Sequence, residues 1–255
     1  MNLKIIEWNV NMRSKKGLII PSLIVAEIEK LNADVVCLTE YVRGINHTDF
    51  ITSLKYCGYE TFLRPMTEQT GGNEILLALK SEIVNDPEVF ILPSGKDSPD
   101  FLHVSTLIGS HRFHIVGVRV RIGGEEELDK DFQSRRVQIQ TLVENLQNIE
   151  DEKMIIVGDF NNGFYSKGDD RNSYPNKPRQ YYNYPLLSDD MRKAGFDAHT
   201  PTEGFSWGKC FRLDHLFAKQ CAIKSVEYSW NFKHNSQFKN GVGYPDHAML
   251  IAELI

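Results

Sequence analysis

Short apolar runs closed by turn residues alternate along this chain with stretches of helical period. Residues 4–10 (KIIEWNV) read as a strand, 21–31 (PSLIVAEIEKL) as a helix with a proline at its start, and 34–40 (DVVCLTE) as the next strand. A helix over 49–57 is closed by Gly58. Strand-like runs follow around 59–64, 74–79, 89–92, 101–108 and 113–122, and this middle third reads as antiparallel. A long amphipathic helix over 132–149 leads into MIIVGDFNN at 154–162; a short helix near 186–194 and strands near 213–218, 223–228 and 248–254 complete the chain. Strand and helix, many strands, helix, strands: the order predicts an α/β fold, a four-layer α/β/β/α sandwich of two mixed, mostly antiparallel sheets flanked by helices. No shift in composition marks an internal boundary, so one domain over 1–255 is expected. Residues 162–184 are polar, rich in Gly, Pro and Tyr, and without period, which predicts a loop insertion long enough to suggest a function.

The polar residues that punctuate the apolar runs carry the chemistry. In MIIVGDFNN, Asp159 and Asn161 stand at the carboxyl end of a buried strand, and period 2 puts both side chains on one side if strand geometry persists. Taken alone, GDFNN reads equally well as a turn. Repetition changes the balance: Asn9 in KIIEWNVN, Glu40 in DVVCLTEY, Asp214 in FRLDHLFA and Asp246–His247 in YPDHAMLIA end or interrupt four other runs. Such residues gather at one edge of a layered sheet.

Composition adds bounds. The hydrophobic and charged fractions, 41% and 25%, are those of an ordinary globular protein. The net charge of −5 argues against a surface that coats itself with nucleic acid indiscriminately, and leaves room for a local basic groove or a metal that supplies positive charge. Cys37, Cys57, Cys210 and Cys221 form no CxxC, so a zinc cluster is not expected. No run approaches bilayer length and the chain opens on a strand-like segment, from which a cytoplasmic protein without membrane partners is expected.

The ordered set WNVN, LTEY, GDFNN, RLDHLFA and PDH resembles the endonuclease/exonuclease/phosphatase superfamily, the DNase I-like fold, over residues 3–252. GGNEILLAL resembles that family's GG-x-apolar strand, and GFSWGKCFRLDHLF its T/S-W followed by the R-[IL]-D strand. The resemblance implies a metal-dependent hydrolase of phosphoester bonds. A hard divalent cation, Mg²⁺ with Mn²⁺ as a possible substitute, would neutralise the phosphate, with Glu40 as its anchor. Asn9 would help position metal and phosphate, and Asp246 would be an outer metal ligand. Asn161 would donate its amide to the phosphate, Asp159 would orient or deprotonate the attacking water, and Asp214 would hold His247 in its protonated form.

Two departures stand out. Where many members carry a histidine, this chain reads VGVRVRIGG, which sets Arg121 at or near that position as a phosphate clamp. Asn11 stands where some abasic-site endonucleases have an acidic second-metal residue, which weakens a two-metal assignment, and Asn11 is expected among the substrate contacts. His103, His114 and His215 read as strand residues, and Arg135 and Arg136 as either solvated or aimed at substrate. Three functions remain: a DNA or RNA nuclease, a phosphatase or phosphodiesterase for a small or lipid-headgroup phosphoester, and a non-catalytic binding module. The nuclease reading is favoured, the chain acting as a monomer, with the 162–184 insertion stacking tyrosines on bases while Lys167, Arg171, Lys177 and Arg179 contact phosphates.

Overall fold

The protein's structure, a computed structural model, describes residues 2–65, 72–92, 95, 97–123, 128–149, 152–165 and 183–255. Alternation sorts its side chains into layers. Along β1 (Leu3–Asn9), Leu3 and Ile5 enter one apolar cluster while Ile6 and Trp8 enter another. Both faces are therefore buried, which is why this strand is apolar almost throughout. The same division runs along β2 (Val35–Tyr41), with Val35 and Cys37 on one face and Val36 and Leu38 on the other.

Two six-stranded sheets result. The first runs β11 (Ile223–Ser229), β12 (Met249–Leu254), β1, β2, β4 (Glu74–Lys80), β3 (Tyr59–Phe62). The second runs β5 (Glu88–Phe90), β6 (Asp100–Ile108), β7 (His111–Arg119), β8 (Lys153–Tyr165), β10 (Phe211–Lys219), β9 (Asp197–Ala198). Among the described residues, only β1 with β2 and β7 with β8 pair in parallel. Helices α1 (Ser22–Leu31) and α2 (His47–Tyr56) cover the outer face of the first sheet through Leu23, Ile24, Phe50 and Leu54. Helices α3 (Leu128–Leu146) and α4 (Tyr184–Lys193) cover the second through Ile139, Leu142, Leu187 and Met191. Ile5, Val35, Leu77, Val104, Ile155 and Leu216 fill the space between the sheets. This is the four-layer α/β/β/α order that the pattern predicted.

The departures have local causes. β7 stops at Arg119, short of the expected 122, because Gln138 of α3 takes over both backbone groups of Arg121, accepting from its N–H at 2.8 Å and donating to its carbonyl at 3.0 Å. β8 continues past the Gly158–Asn161 turn signal to Tyr165. Gly158 is required there, since a Cβ would lie 1.8 Å from the Val118 carbonyl oxygen. The two-residue β9 is too short to carry a period. Of the expected insertion at 162–184, the part over 166–182 lies outside the described residues.

Candidate active site

The layer between the sheets is apolar at one end and polar at the other, along the same faces. On β1 the side that holds Leu3 and Ile5 goes on to Glu7 and Asn9; on β2 the side of Val35 and Cys37 reaches Thr39; on β8 the side of Ile155 and Val157 reaches Asp159. On β10, running the other way, Ala218 and Leu216 give way to Asp214. Strict alternation thus brings Asn9, Asp159 and Asp214 to one place.

Glu40 and Asn161 arrive by breaking the alternation. By parity Glu40 belongs with Val36 and Leu38, under α1. The pairing of β2 with β4 slips between Leu38 and Tyr41, and Glu40 takes a left-handed φ of 50°. This bulge turns its side chain into the cleft. A left-handed non-glycine residue costs about 1–2 kcal/mol, which the surrounding pairing must supply. Asn161, at φ 47°, curls back so that its N–H donates to Asp159 Oδ1 at 2.9 Å and its Nδ2 to Asp159 Oδ2 at 3.1 Å. The expected convergence of Asp159 and Asn161 therefore comes from a turn of the backbone and not from strand period.

The buried core of the site is Asp159, Asp214 and His247, whose ligand atoms lie within 4.8 Å of one another. His247 Nδ1 donates to Asp214 Oδ2 at 2.9 Å, which leaves Nε2 for the cleft that His247 lines. Burial alone would push the imidazolium down, but the charges of Asp214, Asp159 and Asp246 and the Asp214 hydrogen bond outweigh it and hold the group at about 9. Burial and the Asp214 charge push Asp159 up to about 7, against the pull of His247 and Arg119.

Both amide hydrogens of Asn161 have acceptors, Val120 O at 2.8 Å and Asp159 Oδ2 at 3.1 Å, so its carbonyl oxygen is what remains for the cleft. The expected donation to phosphate would have to break one of these bonds. Asn9 donates to Asp159 Oδ2 at 3.0 Å and accepts the Asn11 N–H at 2.9 Å, so it acts here by orienting Asp159. Asp246 lines the cleft and pairs with Arg13 at 2.9 Å.

Two expected substrate contacts are placed otherwise. Arg121 lies beyond the end of β7, where its guanidinium is held by the carbonyls of Gly95 and Ser98, and it does not line the cleft. Asn11 donates to the carbonyls of Tyr244 at 2.8 Å and Gly241 at 3.3 Å, which ties the first strand's loop to the last strand's approach. Arg171 and Arg179 lie outside the described residues. His215 is fully buried between Thr200 and the Asn162 carbonyl, and His103 pairs with His114 at 2.7 Å, far from any role in the cleft.

Sequence reasoning missed two residues, Arg119 and Glu7, and left open a third, Arg135, which the structure turns toward the cleft. Arg119, two positions before Arg121, is the arginine that enters the cleft: Nε and Nη2 both donate to Glu40 Oε1, at 3.0 and 2.7 Å, and Nη1 donates to Asp100 Oδ2 at 3.0 Å. VGVRVRIGG places both arginines on one face, and only the strand's end, set by Gln138, separates them. Arg135 of α3 lines the cleft as well, donating to Asn161 O at 2.6 Å. Glu7 is fully buried and accepts from Thr39 at 3.0 Å. Burial, then the charges of Asp214 and Asp159, push its carboxyl well up. Among the described residues, no N–H or O–H reaches Glu7 Oε2 or Asp214 Oδ1 when both carboxyls are ionised, and one proton kept on Glu7 would serve both. The signal was there: a glutamate inside an apolar strand, two residues before Asn9.

The cleft, of about 560 Å³, is open on one side, with Trp207 and Ile122 exposed at its rim. The sequence profile of the endonuclease/exonuclease/phosphatase family matches residues 6–233. No curated protein matches by sequence alone. Among solved structures, the chain is similar to the human nocturnin catalytic domain with bound sulfate (16% identity, TM-score 0.67, 100% of this chain and 93% of that one). It is similar to D. rerio TDP2 complexed with a single-strand DNA product (14%, 0.65, 100% and 99%) and to an AP endonuclease from Archaeoglobus fulgidus (17%, 0.65, 98% and 98%). At these identities the likeness is one of fold.

Proposed function

The chain belongs to the endonuclease/exonuclease/phosphatase family, and we propose that it is a metal-dependent phosphodiesterase that cleaves nucleic acid. The observation that carries this reading is the geometry of one cleft, where buried Asp159 lies within 4.8 Å of a histidine, His247, that Asp214 holds at 2.9 Å; burial and Asp214 push Asp159 up to about 7, and Asp214 lifts His247 to about 9 against burial. A base and an acid separated in this way can take a proton from water and hold a charged phosphorane between pH 7 and 9. His247 Nε2–H donates to a phosphate oxygen; Asp214 keeps that proton in place; Asp159, aimed by Asn9 and Asn161, accepts the proton of the attacking water.

The donor set fits a hard cation. Glu40, Asp159 and Asp246 bring carboxylate oxygens to the cleft, the hard donors that a divalent ion takes. Glu40 and Asp246 would hold it, with Asn9 fixing the neighbouring carboxylate. Mg²⁺, or Mn²⁺ in its place, would supply charge neutralisation of the scissile phosphate. Arg119 and Arg135 take the phosphate role expected of Arg121, while Arg171 and Arg179 would extend the track. Exposed Trp207 at the rim offers a base a surface to stack on, which favours nucleic acid over a bare phosphomonoester. The reading takes the protein as a cytoplasmic monomer.

The test is incubation with single-stranded DNA, RNA, plasmid and a panel of small phosphoesters, in Mg²⁺ and then in EDTA. Cleavage of a polymer in Mg²⁺ alone is the expected outcome. Turnover confined to small phosphoesters would replace the nuclease reading with a phosphatase one.

A further inference from the structure

Among the described residues, Glu40 is held by one oxygen only. Arg119 forks Nε–H and Nη2–H onto Oε1, where a side-by-side pairing would have used both oxygens. Among the described residues nothing donates to Oε2, and Glu40 lines the cleft. Arg119 is itself fixed from behind by Asp100, at 3.0 Å, and the two residues lie opposite each other in the β6–β7 ladder. Asp100, Arg119 and Glu40 have side chains 15%, 10% and 12% exposed, so this three-residue chain bridges the two sheets largely out of water. Burial works against the Arg119 cation, and the charges of Glu40, Asp100 and Asp159 more than restore it.

We propose that Arg119 is a positioning residue that commits one oxygen of Glu40 and presents the other as a single-atom ligand, biasing the site toward a small octahedral cation over a large one. The inference rests on the proposed metal dependence. A carboxylate free to turn can bind a large ion through both oxygens, as Ca²⁺ accepts; Mg²⁺ demands near-octahedral, one-atom donors. The left-handed backbone at Glu40 fixes where the side chain starts, and the Arg119 fork fixes which oxygen it offers. Three of the guanidinium's five N–H groups are spent on Glu40 and Asp100, which leaves two for the cleft.

The experiment is titration of the full chain with Mg²⁺ and with Ca²⁺ by calorimetry, for wild type, Arg119→Lys and Asp100→Asn, with melting temperatures alongside. Lysine keeps the charge and loses the fork. Arg119→Lys is expected to weaken Mg²⁺ binding by about 10- to 100-fold, as loss of an outer partner of a metal ligand does, with Ca²⁺ little changed. Asp100→Asn, which loosens the arginine from behind, is expected to move the ratio of the two affinities the same way by a smaller factor, and keeps the question answerable if Arg119→Lys folds poorly. A Mg²⁺-to-Ca²⁺ preference that stays at the wild-type value in both variants would overturn the inference and leave the proposed function standing. Wild-type protein that binds neither ion would overturn both.

Discussion

Replacing Asp214 by asparagine keeps the shape of the group beside His247 and removes its charge. The charge of Asp214 and its 2.9 Å hydrogen bond are the largest of the effects that lift His247 from 6.5 to about 9 against burial. Over that interval the favoured protonation is worth about 3 kcal/mol. With Asp214 neutral, His247 is expected to titrate at or below 6.5, since burial then meets only the more modest pull of Asp159 and Asp246. At pH 8 a group titrating at about 9 is about nine-tenths protonated, and one at 6.5 only about 3%, so the cationic form falls roughly 30-fold. At pH 6 both are largely protonated and the difference closes. The rate defect of Asp214→Asn should therefore be about 30-fold or more at pH 8 and shrink markedly by pH 6. Turnover of a phosphodiester reporter across pH gives the profile, and the imidazole proton resonances give the His247 titration directly. A His247 that still titrates near 9 in Asp214→Asn, or a defect of the same size at every pH, would refute the reasoning.

Because Asp214 acts through His247, Asp214→Asn combined with His247→Ala should cost scarcely more in kcat than the worse single change; fully multiplicative losses would mean that the two work independently. Glu7→Leu should destabilise by about 1–3 kcal/mol in urea unfolding, because it strips Asp214 of a buried partner, while Glu7→Gln keeps an N–H donor and should stay near wild type; equal losses would show that Glu7 donates nothing. Burial pushes His103 down to about 3, so the neutral His103–His114 pair contributes stability that is complete above the ordinary 6.5 and is lost as pH falls toward about 3. His103→Phe should flatten the fall of melting temperature across that window, and an unchanged slope would remove the pair from the acid response.

Much of the site was legible because its residues continue the period of the core. Asn9, Asp159 and Asp214 extend faces whose inner members are Ile5, Val157 and Leu216. Glu40 and Asn161 were found as polar punctuation, yet their convergence depends on left-handed backbone at φ 50° and 47°, which period 2 does not encode. Arg119 and Arg121 were not separable by pattern, since both sit on one face of the strand. What parts them is a long-range contact: Gln138 of α3 caps the chain at Arg121 and ends β7 at Arg119. The helix that supplies Gln138 runs over Leu128–Leu146, four residues earlier at its start than the period placed it.

Asp159 and its neighbours are proposed to cleave phosphodiester bonds of nucleic acid with the help of a metal. Cleavage of an end-labelled single-stranded oligonucleotide by wild type and Asp159→Asn, each in Mg²⁺ and in EDTA, tests this most directly. Wild type is expected to cleave in Mg²⁺ and not in EDTA, and Asp159→Asn to lose about 100-fold or more of kcat, counted per folded molecule because the asparagine amide must face one of the N–H groups that Asp159 accepts. Cleavage that persists in EDTA, or an Asp159→Asn variant as fast as wild type, would contradict the proposal.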